Sequence, residues 1–233
     1  MIKKIILLLS FSIVSISAFT QMKFGVKGGV NYTFPTYKVS ADSIDKPKTG
    51  GIGPVFGMFM DIEISDGLIF QAELLGSFRY YNSTVDDLYE DKDVSILRQD
   101  YGYHKLMYLE IPLLFKYNHR LNTGKYGRDN YLGFYAGPLL GLKLLSSYVG
   151  ERTITYEGYG QTSVNASKDD LESDIEYKAF DLGISAGVMF EMEKGFRMGL
   201  RFNRSLAAVN SNDAFSINHN LLQFTMGWNF IEQ

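Results

Sequence analysis

The chain has 233 residues, with 23 Lys and Arg, 26 Asp and Glu, 23 Gly, 17 Phe, 16 Tyr and no Cys. A formal net charge of −3 without a basic stripe argues against nucleic-acid binding, because phosphate recognition requires clustered Lys and Arg. The absence of Cys excludes disulfide scaffolds, thiolate metal sites and thiol nucleophiles. The length fits one domain, and abundant Gly combined with abundant Phe and Tyr is typical of all-β barrels.

The first segment has the pattern of a secretory signal peptide. Lys3 and Lys4 precede a short apolar run, and small residues follow around Ala18. The run is shorter than the roughly 20 residues that a membrane-spanning helix needs. We predict a signal peptide over residues 1–20, cleaved after Thr20 or, alternatively, after Ala18, and a single barrel domain over 21–233. An uncleaved anchor is the other interpretation.

The rest of the chain repeats with a period of two, which is the signature of β-strands. Eight segments show apolar residues on one side and polar residues or Gly on the other, with the parity reversed in the fourth. They are Met22–Phe34, Ile52–Ile64, Leu68–Tyr80, Leu106–Tyr117, Tyr131–Leu144, Tyr177–Met192, Phe196–Asn203 and Leu221–Phe230. The turn Ser65-Asp66-Gly67 between the second and third segments predicts a hairpin.

Nearly all charged residues of these segments lie on the polar side. The set that we predict to form a charge network in the lumen is Lys27, Asp61, Glu63, Glu73, Arg79, Glu110, Lys116, Asp181, Glu191, Arg197 and Arg201, with Lys23 and Lys143 on the same side. Acidic and basic members nearly cancel, as expected for charges that are held out of bulk water and must be paired. A pure packing role for these residues is the simpler interpretation.

The apolar side can face either the interior, as in a soluble lipocalin, or lipid. All eight segments carry large apolar residues, whereas an eight-stranded barrel has an interior only just wide enough for its own side chains. Aromatic residues such as Tyr32, Tyr80 and Trp228 lie near segment ends, where membrane-interface girdles occur. The sequence therefore predicts an all-β, eight-stranded antiparallel up-and-down transmembrane β-barrel.

The connections alternate in length, as in bacterial outer-membrane barrels. Long connections over 35–50, 81–105, 145–176 and 204–220 are predicted on the outside. The turns at Ser65–Gly67, 118–130 and Glu193–Gly195 are predicted in the periplasm, although 118–130 is longer than expected. Two outer connections are acidic, and their carboxylates are Asp86, Asp87, Glu90, Asp91, Asp93, Asp169, Asp170, Glu172, Asp174 and Glu176. They are either solvated loops or contacts for a divalent cation or another ligand near the lipopolysaccharide surface.

No motif predicts catalysis, a cofactor or a metal site. The three histidines are His104, His119 and His219, and none lies in a recognised catalytic motif. His104 is near Ser146 and Ser147 in the predicted topology, which is weak evidence for a hydrolytic pair. We therefore predict that the protein is not an enzyme.

Four stretches of sequence are similar to the PorT-like outer membrane β-barrel family. They are Phe24–Asn31, Phe134–Pro138 together with the later Asp181–Gly187 and, most specifically, Tyr108–Tyr117 with its Leu-Glu-Ile-Pro-Leu core. The resemblance implies a location in the outer membrane of a Gram-negative bacterium and an eight-stranded barrel. It implies no single activity, but the founding member resembles a type IX secretion accessory factor, so a secretion-accessory role is one expectation.

The resulting functional hypothesis is a non-enzymatic outer-membrane barrel with a structural, interaction or secretion-accessory role. Its expected partners are outer-membrane lipid and lipopolysaccharide, and a protein partner contacted through the outer loops. A narrow porin for small solutes is the alternative, followed by a secreted lipocalin-like binder.

Overall fold

The computed structural model describes residues 22–39, 49–91, 94–122, 129–156, 160–166, 176–192, 194–211 and 215–232. Within these ranges, no helix is long and apolar enough to cross a membrane. The proposed signal peptide lies outside the described residues and stays a prediction.

Eleven β-strands form the described part of the chain. They are β1 (Met22–Thr33), β2 (Thr36–Val39), β3 (Thr49–Ser65), β4 (Leu68–Asp91), β5 (Val94–Asn122), β6 (Asp129–Tyr156), β7 (Gly160–Ala166), β8 (Phe180–Glu191), β9 (Phe196–Ser205), β10 (Phe215–Asn218) and β11 (Asn220–Glu232).

Eight of these strands close into a ring. Its order is β1-β3-β4-β5-β6-β8-β9-β11, and β11 pairs with β1 to complete it. Every pairing is antiparallel, so each strand is hydrogen-bonded to two neighbours and the ring has no free edge. The predicted eight-stranded up-and-down barrel is confirmed.

The outer surface of the ring is apolar, as the alternation predicts. On β3, for example, Ile52, Phe56 and Met58 are exposed, while the intervening Val55 and Phe59 are buried. The reversed parity of the fourth predicted segment is also present, because β5 exposes its odd-numbered apolar residues and buries its even-numbered ones. These exposed apolar side chains form the lipid-facing band of a transmembrane barrel.

Two short turns connect strands at the end that we predict to face the periplasm, here called the periplasmic end. β3 ends at Ser65 and β4 begins at Leu68, so that Asp66 and Gly67 alone form the turn. Gly67 has φ of 73° and Gly195, in the turn before β9, has φ of 81°. Glycine adopts this left-handed conformation without the steric penalty that a Cβ adds.

Several strands continue beyond the predicted segments on the outer side. β4 and β5 remain paired as far as Asp91 and Val94, β6 continues to Tyr156, and β7 adds to the edge of β6. Much of the predicted connections 81–105 and 145–176 is therefore strand. We call this region, comprising 83–91, 94–102, 150–156 and 160–166, the outer extension. At the other end, β5 and β6 cover part of the predicted turn 118–130, and the rest of it lies outside the described residues.

The outer end of the ring is covered by residues 176–179, 206–211 and 215–219, which we call the outer cap. Backbone hydrogen bonds join its parts, including Lys178 N to Val209 O at 2.7 Å and Val209 N to Ile217 O at 2.8 Å. β10 also pairs with β2. Val209 and Ile217 are buried in one cluster with Tyr81 and Leu106, which belong to the inner face of β4 and β5. The cap therefore packs directly onto the barrel interior.

Candidate functional site in the barrel lumen

Ten of the eleven residues of the predicted charge network are buried inside the barrel. Alternation along the strands turns these side chains inward, and closure of the ring brings together residues that are far apart in sequence. They form three clusters: an inner one (Asp61, Lys116, Glu191, Arg197), a middle one (Lys27, Glu73, Arg201) and an outer one (Arg79, Glu110, Asp181).

The inner cluster is closest to the periplasmic turns. Lys116 Nζ lies 2.6 Å from Asp61 Oδ2 and 3.6 Å from Glu191 Oε2. Arg197 Nη2 lies 3.0 Å from Asp61 Oδ2 and 3.1 Å from Glu191 Oε1. The guanidinium of Arg197 also stacks 4.0 Å from the centre of the Phe59 ring. Each cation thus contacts both carboxylates, which links β3, β5, β8 and β9 across the lumen.

The middle cluster is centred on one carboxylate. Glu73 accepts from Lys27 Nζ at 2.6 Å and from Arg201 Nη2 at 2.6 Å and Nη1 at 2.8 Å, in a bidentate arrangement. Gln71 donates a further hydrogen bond to Glu73. The guanidinium of Arg201 lies 5.1 Å from the centre of the Tyr135 ring. With two cations and one anion, this cluster has a formal charge of +1.

The outer cluster is centred on Arg79. Its Nη2 lies 2.8 Å from Glu110 Oε1 and its Nη1 lies 2.6 Å from Asp181 Oδ2. Arg79 Nη1 is also 2.9 Å from Nδ1 of His219, at the end of the outer cap. The guanidinium lies 4.0 Å from the centre of the Tyr108 ring. Two anions and one cation give this cluster a formal charge of −1, which balances the middle cluster.

The three clusters and their apolar neighbours fill the lumen. Aliphatic and aromatic side chains such as Leu75, Leu114 and Leu139 are buried between the charged groups. Among the residues that the structure describes, a cavity of about 10 Å³ lies beside Lys27, Arg197 and Arg201, which is about the space of one water molecule.

Three predicted lumen residues lie away from the clusters. Glu63 is exposed and lines a cavity of about 430 Å³ at the periplasmic end, together with Lys23. Lys143 lies at the outer end, where its Nζ donates to the backbone oxygen of Tyr177.

The sequence analysis named His104 and His219 but did not assign them to the lumen, and both are buried at the outer end. His104 Nδ1 is 2.9 Å from the Tyr177 hydroxyl, and the His104 ring stacks on Tyr81 with centroids 4.7 Å apart. His104 continues the inward-facing parity of β5, and His219, just before β11, continues that of β11. Extending each alternation by one step would have found both residues. Ser147, which the predicted topology placed near His104, is exposed, whereas His104 is 1% exposed.

Residues 18–210 match a family model described as outer membrane protein beta-barrel domain. The chain belongs to this family, and it is a protein of the outer membrane of Gram-negative bacteria. No match to a curated protein is found.

The chain is also similar to solved structures. Neisserial surface protein A (NspA) is 10% identical, with 89% of this chain and 97% of that chain covered and a TM-score of 0.37. OprG from Pseudomonas aeruginosa is 12% identical, with 91% and 97% covered and a TM-score of 0.42. Ail of Yersinia pestis, in complex with the heparin analogue sucrose octasulfate, is 12% identical, with 89% and 99% covered and a TM-score of 0.32.

Proposed function

We propose that this protein is a non-enzymatic outer-membrane barrel that acts as a membrane-anchored interaction protein rather than as a channel. The observation that carries the proposal is the filled lumen, in which three buried ion-pair clusters lie beneath the outer cap. A barrel whose interior is occupied by its own side chains presents its outer and periplasmic ends as the surfaces available for function.

The outer extension is the proposed contact surface. Its strands continue past the lipid-facing band, so they project from the membrane on the outer side. β4 there includes Asp86, Asp87, Glu90 and Asp91, and this acidic sequence favours a protein partner with basic groups or lipopolysaccharide bridged by divalent cations. A secretion-accessory role, which the PorT-like resemblance implies, is compatible with such a contact.

The absence of catalysis is part of the proposal. His104 and His219 are buried and contact Tyr177 and Arg79, respectively, and neither is on the surface where a lipid substrate would arrive. These contacts support packing roles for both residues.

Planar-bilayer recording of the refolded protein tests this proposal against a narrow porin. We expect no single-channel steps, because ions cannot pass three layers of paired side chains without breaking them. A conducting outer-membrane porin, recorded in the same lipid, is the control for insertion and sensitivity. Steps of uniform size that scale with the amount of inserted protein would reject the proposal and establish the porin.

A further inference from the structure

The cavity at the periplasmic end is a pocket that the filled lumen does not explain. It has a volume of about 430 Å³, within the range of small-molecule sites, and we call it the inner vestibule. Its acidic lining residues form two levels. Asp61 and Glu191 are buried at its base, and Glu63 and Asp66 are exposed at its rim.

Carboxylates outnumber cations in the lining of the inner vestibule. Four acidic residues line it, against the two cations Lys23 and Arg120 and the imidazole of His119. Lys116 and Arg197, which pair with the carboxylates of the base, are not part of the lining. A ligand entering from the periplasm therefore meets the acidic side of the inner cluster.

Hydrogen-bond acceptors are left over in the same lining. Asp61 Oδ1, Glu191 Oε2 and Asn118 Oδ1 are buried and accept no hydrogen bond from the described residues, although Glu191 Oε2 has an ionic contact with Lys116 at 3.6 Å. A buried acceptor without a donor is unfavourable, because the oxygen has lost its hydrogen bonds to water without replacement. A ligand that supplies N–H donors would remove this penalty.

We propose that the inner vestibule binds an organic cation carrying N–H donors, such as a primary ammonium group on an alkyl chain. An ammonium group offers three donors and a positive charge, which suit the surplus acceptors and the acidic lining. The volume holds an alkyl chain in addition to the charged group. Such a group can belong to a free polyamine or to a lysine side chain of a periplasmic polypeptide. The proposal is independent of the function proposed for the outer extension.

Isothermal titration calorimetry on the refolded full-length protein in detergent, at low ionic strength, tests this site. Spermidine represents the free amine, and a short lysine-containing peptide represents the polypeptide. Tetramethylammonium carries the same kind of charge without an N–H donor. We expect saturable binding of spermidine, the peptide or both, and the tighter of the two identifies the source. Tetramethylammonium should bind at least about tenfold more weakly than the tighter ligand, which corresponds to about 1.4 kcal/mol.

Glu63→Gln is the main variant, because Glu63 is exposed and lies outside the buried clusters. It should raise the Kd about threefold, as expected for one exposed charge, and Glu63→Gln combined with Asp66→Asn should raise it about tenfold. The matched control is Glu176→Gln, an exposed glutamate at the opposite end of the barrel, which should leave the Kd unchanged.

Heat-dependent gel mobility of each variant checks that the barrel is folded before titration. The proposal is overturned if neither amine binds, if tetramethylammonium binds as tightly as the amines, or if Glu176→Gln weakens binding as much as Glu63→Gln does.

Discussion

Arg79 shows how single residues hold this barrel together. Its guanidinium, fully buried, contacts Glu110 from β5 and Asp181 from β8, and it reaches His219 at the outer cap. A buried ion pair contributes little compared with a well-packed apolar replacement, but removal of one partner leaves uncompensated charge. Arg79 therefore stabilises the fold mainly because, without it, two carboxylates would remain buried in the lumen without a cation.

We expect Arg79→Met to destabilise the folded barrel by about 3–5 kcal/mol, because Glu110 and Asp181 then remain buried without a cation. Urea unfolding in lipid vesicles, followed by the gel mobility of folded and unfolded forms, measures this change.

Two comparisons isolate the charge effect. Arg204→Met removes an exposed arginine at the outer end of β9 and should change stability by less than about 1 kcal/mol. The triple variant Arg79→Met with Glu110→Gln and Asp181→Asn removes the stranded charges and should recover part of the loss. If the triple variant is less stable than Arg79→Met, the explanation by stranded charge is wrong.

At the scale of strands, β5 shows how one element serves two environments. Its odd-numbered residues between Lys105 and Tyr117 face lipid, and its even-numbered residues face the lumen. Ile111 lies midway between these two ends and is 38% exposed. An arginine in the middle of the hydrocarbon core has no water to solvate its charge, whereas one at the interface does.

Ile111→Arg should therefore destabilise the inserted barrel by about 2–4 kcal/mol, and Tyr117→Arg, at the periplasmic end of the same face, by at most about 1 kcal/mol. Equilibrium refolding into vesicles of defined thickness measures both. Equal effects of the two substitutions would contradict the assignment of this face to lipid.

Pro112 lies inside β5, at a point where the backbone pairing with β4 is interrupted. Pro112 cannot donate a backbone hydrogen bond, and the pairing of β4 with β5 is interrupted between Ala72–Leu113 and Leu75–Glu110. The strand continues on both sides because the register is unchanged across the gap. In the Leu-Glu-Ile-Pro-Leu motif, Glu110 belongs to the outer cluster, and the pairing with β4 is interrupted at the next two residues, Ile111 and Pro112.

Strand existence and facing were predictable from the sequence because lipid and lumen impose opposite polarities on alternate residues. The outer extension was not predictable in this way, since both of its faces leave the hydrocarbon and the alternation ends near Tyr80 and Leu144. The short strands β2 and β10 have four residues each, too few for a periodic signal.

The lumen charges were predictable as a set, but their pairing was not. Arg79 and Asp181 are 102 residues apart, and their contact depends on the tilt and register of the closed ring. Glu63 has the same parity as Asp61, yet it is exposed because it lies two residues closer to the turn, beyond the closed part of the lumen.

At the scale of the whole molecule, the strand pairing that closes the ring does not involve the outer extension. β1 and β11 are paired along most of their length, from Lys23–Glu232 to Thr33–Leu221, which completes the barrel independently of the outer extension. Within the outer extension, β4 and β5 are paired from Ser83–Gly102 to Asp91–Val94, beyond the outer cap. Its removal should therefore leave the membrane-embedded ring intact.

We expect a variant in which residues 84–101 are replaced by Asn-Gly, joining Ser83 to Gly102, to insert and show the same heat-dependent gel mobility as the parent. Asn-Gly suits the tight hairpin turn between paired strands. The natural chain has no Cys, so one cysteine introduced on β7, as Ser163→Cys, provides a single cross-linking position in both backgrounds. Cells that carry the shortened variant should lose the cross-linked adducts that Ser163→Cys forms with envelope proteins in the parent. The control is Ser65→Cys, at an exposed position of the periplasmic end, which should give the same adducts in the parent and in the shortened variant. Retention of the β7 adducts in a correctly inserted shortened barrel would show that β4 and β5 of the outer extension are not the contact surface.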